Sequence, residues 1–151
     1  MAKGTFLRLG RLRASRIGVP AAILAVLLLV IPARADNPRV LIGTWAGKAT
    51  GPGGGPPTGE IVITFSRGKE GKLEGTIAVR APGGSEYTGQ MEKITLVERT
   101  LTALAVFKLG ETPIEVHITG PLKDSAIQGT FTASSKGQEL GEGTFSITKK
   151  K

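Results

Sequence analysis

Near its end the chain reads Gly143-Thr144-Phe145-Ser146-Ile147, where glycine, phenylalanine and isoleucine alternate with two small polar residues. Strict alternation places the first set on one face of a β-strand and the second set on the other. Gly-Thr followed by a large apolar residue occurs three more times, at Gly43-Thr44-Trp45, Gly75-Thr76-Ile77 and Gly129-Thr130-Phe131. A glycine within a strand leaves room for a bend, a bulge or a close neighbour. The repeated motif therefore predicts an antiparallel sheet that coils strongly enough to close on itself.

Alternation of this kind recurs throughout residues 36–151 and predicts short strands separated by Gly- and Pro-containing turns. We place eight strands at 40–48, 60–67, 73–80, 86–98 with a bend near Gly89, 101–107, 114–118, 127–131 and 143–147. Segment 120–124 is predicted to be a turn, and no helix of consequence is expected. The short connections favour an all-β, antiparallel up-and-down barrel, with a sandwich as the alternative. Closure would bring the Gly43 and Gly143 motifs together where the first and last strands meet.

The first 35 residues have the composition of a secretory signal peptide. Five basic residues between Lys3 and Arg16 precede an almost wholly apolar stretch at 17–31, and Ala33-Arg34-Ala35 has the small-x-small form of a cleavage site. We expect cleavage after Ala35, which makes Asp36 the first mature residue. A retained anchor is the alternative, but the apolar stretch is shorter than the roughly 20 residues that span a bilayer. The sequence thus predicts an exported, periplasmic or secreted protein with a single domain at 36–151 and no stable membrane anchor after cleavage.

The charge of the chain changes once this leader is removed. The whole chain carries 20 basic and 12 acidic residues. Six of the basic and none of the acidic residues lie in 1–35, which leaves 14 against 12, a net charge of +2. A nucleic-acid partner is therefore not expected, because it requires a basic patch on the folded domain. The chain has no Cys, so the core alone must hold the domain together.

The residues that usually carry chemistry form no recognisable motif. His117 is the single His and is expected to face outward from its strand. The acidic residues are scattered over outward strand positions and turns: Glu60, Glu74, Glu86, Glu92, Glu98 and Glu115. Neither metal-ligand spacing nor a Gly-x-Ser-x-Gly elbow occurs. We predict no catalytic, cofactor-binding or metal-binding residue, and an enzyme ranks last among the function classes.

The opening of the first strand resembles the calycin superfamily, which contains the lipocalins and avidins. In those proteins a Gly-x-Trp motif packs its indole across one end of a barrel, so the resemblance implies this barrel-end role for Gly43 and Trp45. Leu73-Glu74-Gly75-Thr76-Ile77 is similar to an avidin strand that reads Leu-x-Gly-Thr-aromatic. Biotin binding is not implied, since the chain has one Trp and a single Asn, Asn37, in the leader to the first strand. The disulfide and the N-terminal 3₁₀ segment of lipocalins are not evident.

Two function classes remain for the predicted barrel. The first is a non-enzymatic module that binds a small apolar or amphipathic ligand in room left by inward small residues (Gly75, Ala103, Ala105, Gly129 and Gly143), with Tyr87 at the rim. The second is a structural or inhibitor-like protein with a solid core, whose partner is another exported protein. The Gly- and Pro-rich segment 51–59 is predicted to be a flexible loop, with a lid over the barrel as the alternative. Lys149-Lys150-Lys151 is predicted to be a solvated tail, with weak attraction to an anionic surface as the alternative.

Overall fold

The computed structural model describes residues 36–51 and 57–151, with the side chains of Pro57 and Thr58 left out. These residues belong to one compact unit, Pro32–Lys151. The predicted signal peptide, with its cleavage motif at Ala33 and Ala35, lies outside the described residues. So does most of the segment predicted to be a loop or lid, since only Gly51 and the backbone from Pro57 onward are described.

The described chain forms a closed barrel in which each strand pairs antiparallel with the next and the last strand pairs with the first. The strands are β1 (Gly43–Thr50), β2 (Pro57–Arg67), β3 (Leu73–Arg80), β4 (Glu86–Val97), β5 (Thr100–Leu109), β6 (Thr112–Lys123), β7 (Ala126–Ser135) and β8 (Gln138–Lys149). The prediction of an all-β, eight-stranded up-and-down barrel is confirmed. Every buried residue of the core cluster lies between Leu41 and Ile147, so residues 36–151 contain the whole described core.

Strands β2 and β5 to β8 extend beyond the predicted bounds, and β2 begins at Pro57, inside the segment predicted to be a loop. By contrast, β1 begins at Gly43 and not at residue 40, because residues 40 and 41 belong to a 3₁₀ helix.

Strand β6 departs most from expectation. The turn predicted at 120–124 is wrong, because β6 continues through Gly120 and Pro121 and the chain turns at Asp124, where φ is 52°. Proline has no N–H to donate to a neighbouring strand. The β6–β7 pairing accordingly passes over Gly120 and Pro121 and resumes at Leu122 opposite Ile127. On its other side β6 keeps Pro121 opposite Thr100.

The register of β4 is irregular at one point, which is not Gly89. Gly89, where a bend was predicted, pairs regularly with Ile77 on one side and Phe107 on the other. The register of β4 against β5 shifts instead between Glu92 and Thr95. Lys93 lies within this shift and has a φ of 50°, as expected for the extra residue of a bulge.

The barrel closes along β1 and β8, from Trp45 opposite Lys149 to Thr50 opposite Thr144. The expectation that two Gly-Thr motifs meet along these strands is wrong. Because the strands are antiparallel, Gly43 lies beyond the Trp45–Lys149 end of this pairing and Gly143 lies beyond the Thr50–Thr144 end. A Cβ at Gly43 would lie 3.1 Å from Cε of Lys149, whereas one at Gly143 would lie 2.3 Å from the carbonyl oxygen of Thr50.

The motifs of β7 and β8 pair with each other so that glycine faces phenylalanine twice. Gly129 lies opposite Phe145, and Phe131 lies opposite Gly143. In the same way, Gly75 of β3 lies opposite Phe65 of β2. A Cβ at Gly129 would lie only 2.0 Å from the carbonyl oxygen of Thr119, so β6 and β7 approach too closely there for any side chain. The motif therefore combines close strand packing with space for a neighbouring ring.

One end of the barrel, called the closed end below, is covered by the segment that precedes β1. This segment contains a 3₁₀ helix, Pro38–Leu41, which begins after Asn37, whose Oδ1 accepts a hydrogen bond from the amide of Arg39 at 3.1 Å. A 3₁₀ segment, which was not evident from the sequence, thus precedes the barrel. Four residues are too few to produce an apolar period, and only the Asn-Pro pair at 37–38 could have indicated the turn. Leu41 is completely buried against the core.

Candidate functional site

The two ends of the barrel are built differently, and Gly43 and Trp45 lie at the closed end. The Trp45 side chain is 1% exposed, and its Nε1 donates a 2.7 Å hydrogen bond to the carbonyl oxygen of Leu41. The ammonium of Lys149 lies 5.7 Å from the centre of the Trp45 ring and donates a 2.9 Å hydrogen bond to the carbonyl oxygen of Val40. The indole therefore joins the 3₁₀ helix to the core, and Lys149 joins the same helix to β8. The prediction of a solvated tail at 149–151 is thus wrong for Lys149, which belongs to β8 and is partly buried.

A cavity of about 240 Å³ lies in the other half of the barrel. Its lining comes from β1 to β8 and consists of Ala49, Ile61, Ile63, Ile77, Val79, Tyr87, Phe107, Leu109, Ile114, Val116, Ile118, Phe131 and Phe145. Several of these residues are partly exposed, and they lie toward the strand ends that are farther from Trp45. The cavity therefore opens at this end of the barrel, which we call the open end.

Tyr87, the residue predicted to lie at the rim, is part of this lining and is 41% exposed. It lies near the start of β4, opposite Val79 of β3. Of the lining residues that the structure describes, Tyr87 alone has a polar side-chain atom, its hydroxyl oxygen, which can both donate and accept a hydrogen bond. Neither a cation nor a carboxylate belongs to this described lining. The site therefore favours an uncharged, largely apolar occupant.

The predicted source of the internal space is wrong. None of the five small residues expected to leave room belongs to the cavity lining. Their space is filled by neighbours, since Phe145 lies opposite Gly129, Phe131 opposite Gly143 and Met91 opposite both Gly75 and Ala105. The room lies instead toward the open end, among isoleucines, valines and the four aromatic rings of Tyr87, Phe107, Phe131 and Phe145.

Leu109 and Ala49 line the cavity although neither was predicted from the sequence to do so. Leu109 is the last residue of β5 and is 42% exposed at the open end. The alternation of Leu101, Ala103, Ala105 and Phe107 continues to Leu109, so extending the strand by two residues would have found it. Ala49 similarly continues the inward series of β1 beyond Trp45.

The outer surface near the open end carries a row of alternating charge. Lys48 of β1 pairs with Glu60 of β2, which pairs with Arg80 of β3, which pairs with Glu86 of β4. Arg80 and Glu86 form a 2.9 Å ion pair, and this hydrogen bond to Glu86 raises the pKa of the Arg80 guanidinium. These side chains are exposed and lie outside the lumen, so they contribute to the surface and not to the cavity.

The remaining candidates for chemistry are dispersed. His117 is exposed on β6, and the six glutamates predicted to be solvated are all exposed. Within residues 36–51 and 57–151, no group of three His, Cys, Asp or Glu residues could hold a metal ion. None of the helices described is long and apolar enough to cross a membrane. Among the described residues, the cavity is thus the best candidate for a binding site.

Comparison of the chain with protein-family models, with curated proteins and with solved structures finds no match. The site must therefore be interpreted from its own geometry and chemistry.

Proposed function

We propose that this protein is a non-enzymatic binding protein that takes one small, uncharged, largely apolar molecule into the open end of its barrel. The observation that carries the proposal is the cavity of about 240 Å³, whose described lining residues are apolar apart from the Tyr87 hydroxyl. Transfer of apolar surface from water into such a lining is favourable by roughly 25 cal/mol per Å². A charged ligand would lose its hydration there without gaining a partner among the described lining residues.

The volume of the cavity limits the size of the ligand. An engineered apolar cavity of about 150 Å³ binds benzene. A cavity of about 240 Å³ is about 1.6 times as large and suits a body of about ten carbon atoms, such as two fused rings. One hydrogen-bonding group on the ligand, placed toward the open end, would reach the Tyr87 hydroxyl. A longer molecule would extend through the open end into solvent.

We further infer that the barrel is related to the calycins. Three features support this relationship: eight antiparallel strands in up-and-down order, an indole that lies across one end, and a 3₁₀ helix before β1. We also propose that the protein acts after export, in the periplasm or outside the cell, because of the signal-like composition of residues 1–35.

A second candidate function is contact with another exported protein, as an inhibitor-like or structural component. It is favoured by three exposed large apolar side chains on segments that reach the open end: Tyr87, Leu109 and Leu140. Leu140 is 57% exposed and lies beside the β7–β8 turn. The two functions differ in where binding occurs: a small ligand would bind inside the lumen, whereas a protein partner would contact the side chains on the rim.

The test is equilibrium binding of naphthalene and 2-naphthol to the barrel, residues 36–151, followed by the fluorescence of the ligand. Val116→Phe places a ring in the lumen and is expected to weaken binding by about tenfold or more, equivalent to about 1.4 kcal/mol. The matched control is Val62→Phe, since Val62 is an exposed valine of β2 outside the cavity. Val62→Phe should leave the affinity unchanged. The proposal fails if the unaltered barrel binds neither compound, or if both variants weaken binding equally.

A further inference from the structure

Charge is distributed unequally between the two ends of the barrel. At the closed end we count the terminal segments, 36–43 and 149–151, and the three turns with their flanking strand residues. These contain nine basic side chains and four acidic ones, a net charge of +5. The four connections at the open end, counted by the same rule, contain two basic and two acidic residues. The closed end therefore carries the positive charge of the domain.

Most of these cations lie on one side of the closed end, where β8, β1, β2 and β3 are neighbours. We call this side the basic face, and it comprises Arg39, Arg67, Lys69, Lys72, Lys149, Lys150 and Lys151. Two carboxylates accompany it: Glu70, whose Oε2 lies 3.6 Å from Nζ of Lys72, and Glu74, which lies one residue beyond the segments counted above and whose side chain is beside Gly68. Asp36 lies on the other side, where its carboxylate accepts a hydrogen bond from the amide of Arg99. The basic face thus has seven cations against two carboxylates.

Three of the cations line one shallow groove. Arg39, Arg67 and Lys72 surround a space of about 100 Å³ between the 3₁₀ helix and the β2–β3 turn. Arg39 and Arg67 form no ion pair with any residue that the structure describes, and all three side chains are exposed. A space lined by two arginines and a lysine favours a phosphate, since arginine can bind its oxygens in a bidentate manner.

An exposed apolar side chain lies among these cations. Val40, in the 3₁₀ helix, is 48% exposed, although its carbonyl oxygen accepts the hydrogen bond from Lys149. Apolar groups surrounded by lysine and arginine are typical of surfaces that bind at the boundary between phospholipid headgroups and acyl chains. By contrast, none of the described aromatic side chains is exposed at the closed end, so nothing there could stack on a nucleic-acid base.

We propose that the basic face is a docking surface for a membrane that contains anionic phospholipids. The phosphates of the headgroups lie against Arg39, Arg67 and Lys72, the terminal lysines add charge, and Val40 reaches the headgroup boundary. Attraction of this kind is reversible and weakens as salt screens it. Docking through the closed end leaves the open end directed toward the aqueous phase. The inference does not depend on the proposed ligand, because no residue of the basic face lines the cavity.

The test is co-sedimentation of residues 36–151 with vesicles of phosphatidylcholine alone or mixed with phosphatidylglycerol. We expect binding to the mixed vesicles only, with loss of binding as salt is added. The triple variant Arg39→Gln/Arg67→Gln/Lys72→Gln removes three charges that each contribute roughly fivefold, so partitioning should fall on the order of a hundredfold. The control Lys48→Gln/Lys108→Gln/Lys136→Gln removes the same charge from exposed positions near the open end and should bind as the unaltered protein does. Circular dichroism establishes that both variants are folded.

Three results would overturn the proposal: equal binding to both kinds of vesicle, an equal loss in the two triple variants, or tighter binding to duplex DNA than to the mixed vesicles at the same salt concentration. The last result would make nucleic acid the partner. None of them bears on ligand binding in the lumen, which Val116→Phe tests separately.

Discussion

The ammonium of Lys149, in the last strand, lies 5.7 Å from the centre of the Trp45 ring, in the first strand. The same ammonium donates a hydrogen bond to the carbonyl oxygen of Val40. One side chain thus connects the two strands that close the barrel to the 3₁₀ helix that covers its end. Because β1 and β8 are joined by no hairpin, contacts of this kind add to their six backbone pairs.

Replacing Lys149 by Met should lower stability, because it keeps the aliphatic chain and removes the charge. The loss of the cation–π contact and of one exposed hydrogen bond should cost about 1 kcal/mol and lower the Tm by roughly 4 °C. Lys150→Met is the matched control, since the Lys150 side chain forms no ion pair or ring contact with any described residue. Thermal unfolding followed by circular dichroism measures both. Equal effects of the two substitutions would mean that the Trp45 contact contributes nothing.

Replacing Trp45 by Phe should be more damaging. The indole N–H is lost, so the buried carbonyl oxygen of Leu41 loses its partner, and the smaller ring leaves unfilled space. Together these effects should cost about 2–3 kcal/mol. Urea denaturation followed by circular dichroism measures the free energy of unfolding. Trp45 is the single Trp of the chain, so blue-shifted emission with little quenching by acrylamide would verify its burial in the unaltered protein. A cost below about 0.5 kcal/mol would contradict its role at the closed end.

Replacing Gly129 by Ala tests the close approach of β6 and β7. The new methyl group would lie 2.0 Å from a backbone oxygen, Thr119 O, which cannot move away without disturbing the strand. Overpacking of this severity should cost about 3 kcal/mol. Gly83→Ala is the control, since no described atom lies within 4 Å of its Cβ position and its φ is not in the left-handed region. It should change stability by less than about 0.5 kcal/mol. Similar costs for both variants would exclude a packing role for Gly129.

Replacing Tyr87 by Phe tests the polar group of the cavity. The ring is retained, so naphthalene should bind as it does to the unaltered barrel. Binding of 2-naphthol, whose hydroxyl can reach that of Tyr87, should weaken by roughly fivefold, corresponding to about 1 kcal/mol for one hydrogen bond. Fluorescence titration with both compounds measures the difference. If both affinities fall together, Tyr87 acts through packing alone, and if neither changes, its hydroxyl has no part in binding.

The alternation of apolar and polar residues was sufficient to predict the barrel, its strand order and the inward faces, because each strand has one buried side. It was not sufficient to predict strand ends. Pro121 belongs to β6 through its pairing with Thr100 of β5, and Leu109 belongs to β5 through its pairing with Thr112 of β6. All four residues lie outside the predicted strands. The 3₁₀ helix was missed because its buried residue, Leu41, has no periodic neighbour. Only Asn37, with Pro38 after it, marks the turn.

The cavity was expected for the wrong reason. Small inward residues such as Gly129 were predicted to leave space, but whether space remains depends on which side chain lies across the neighbouring strand. Which side chain lies there depends on the register of the paired strands, and the register is set by the turns and by the bulge at Lys93. The alternation of apolar and polar residues does not reveal either of these. Tyr87 was predicted to lie at the rim, and the structure puts it in the cavity lining.

The pairing of Trp45 with Lys149 joins residues 104 positions apart in the chain. All other strand pairs are hairpin neighbours and can form as soon as both partners have been synthesised. The first strand must therefore wait, with one edge unpaired, until the residues of β8 have been synthesised. Long-range pairing of this kind slows folding, and unpaired edges invite association with other chains. Closure of the barrel between β1 and β8 is consequently a late event, and the interval before it is the time when a newly made chain most needs protection from aggregation.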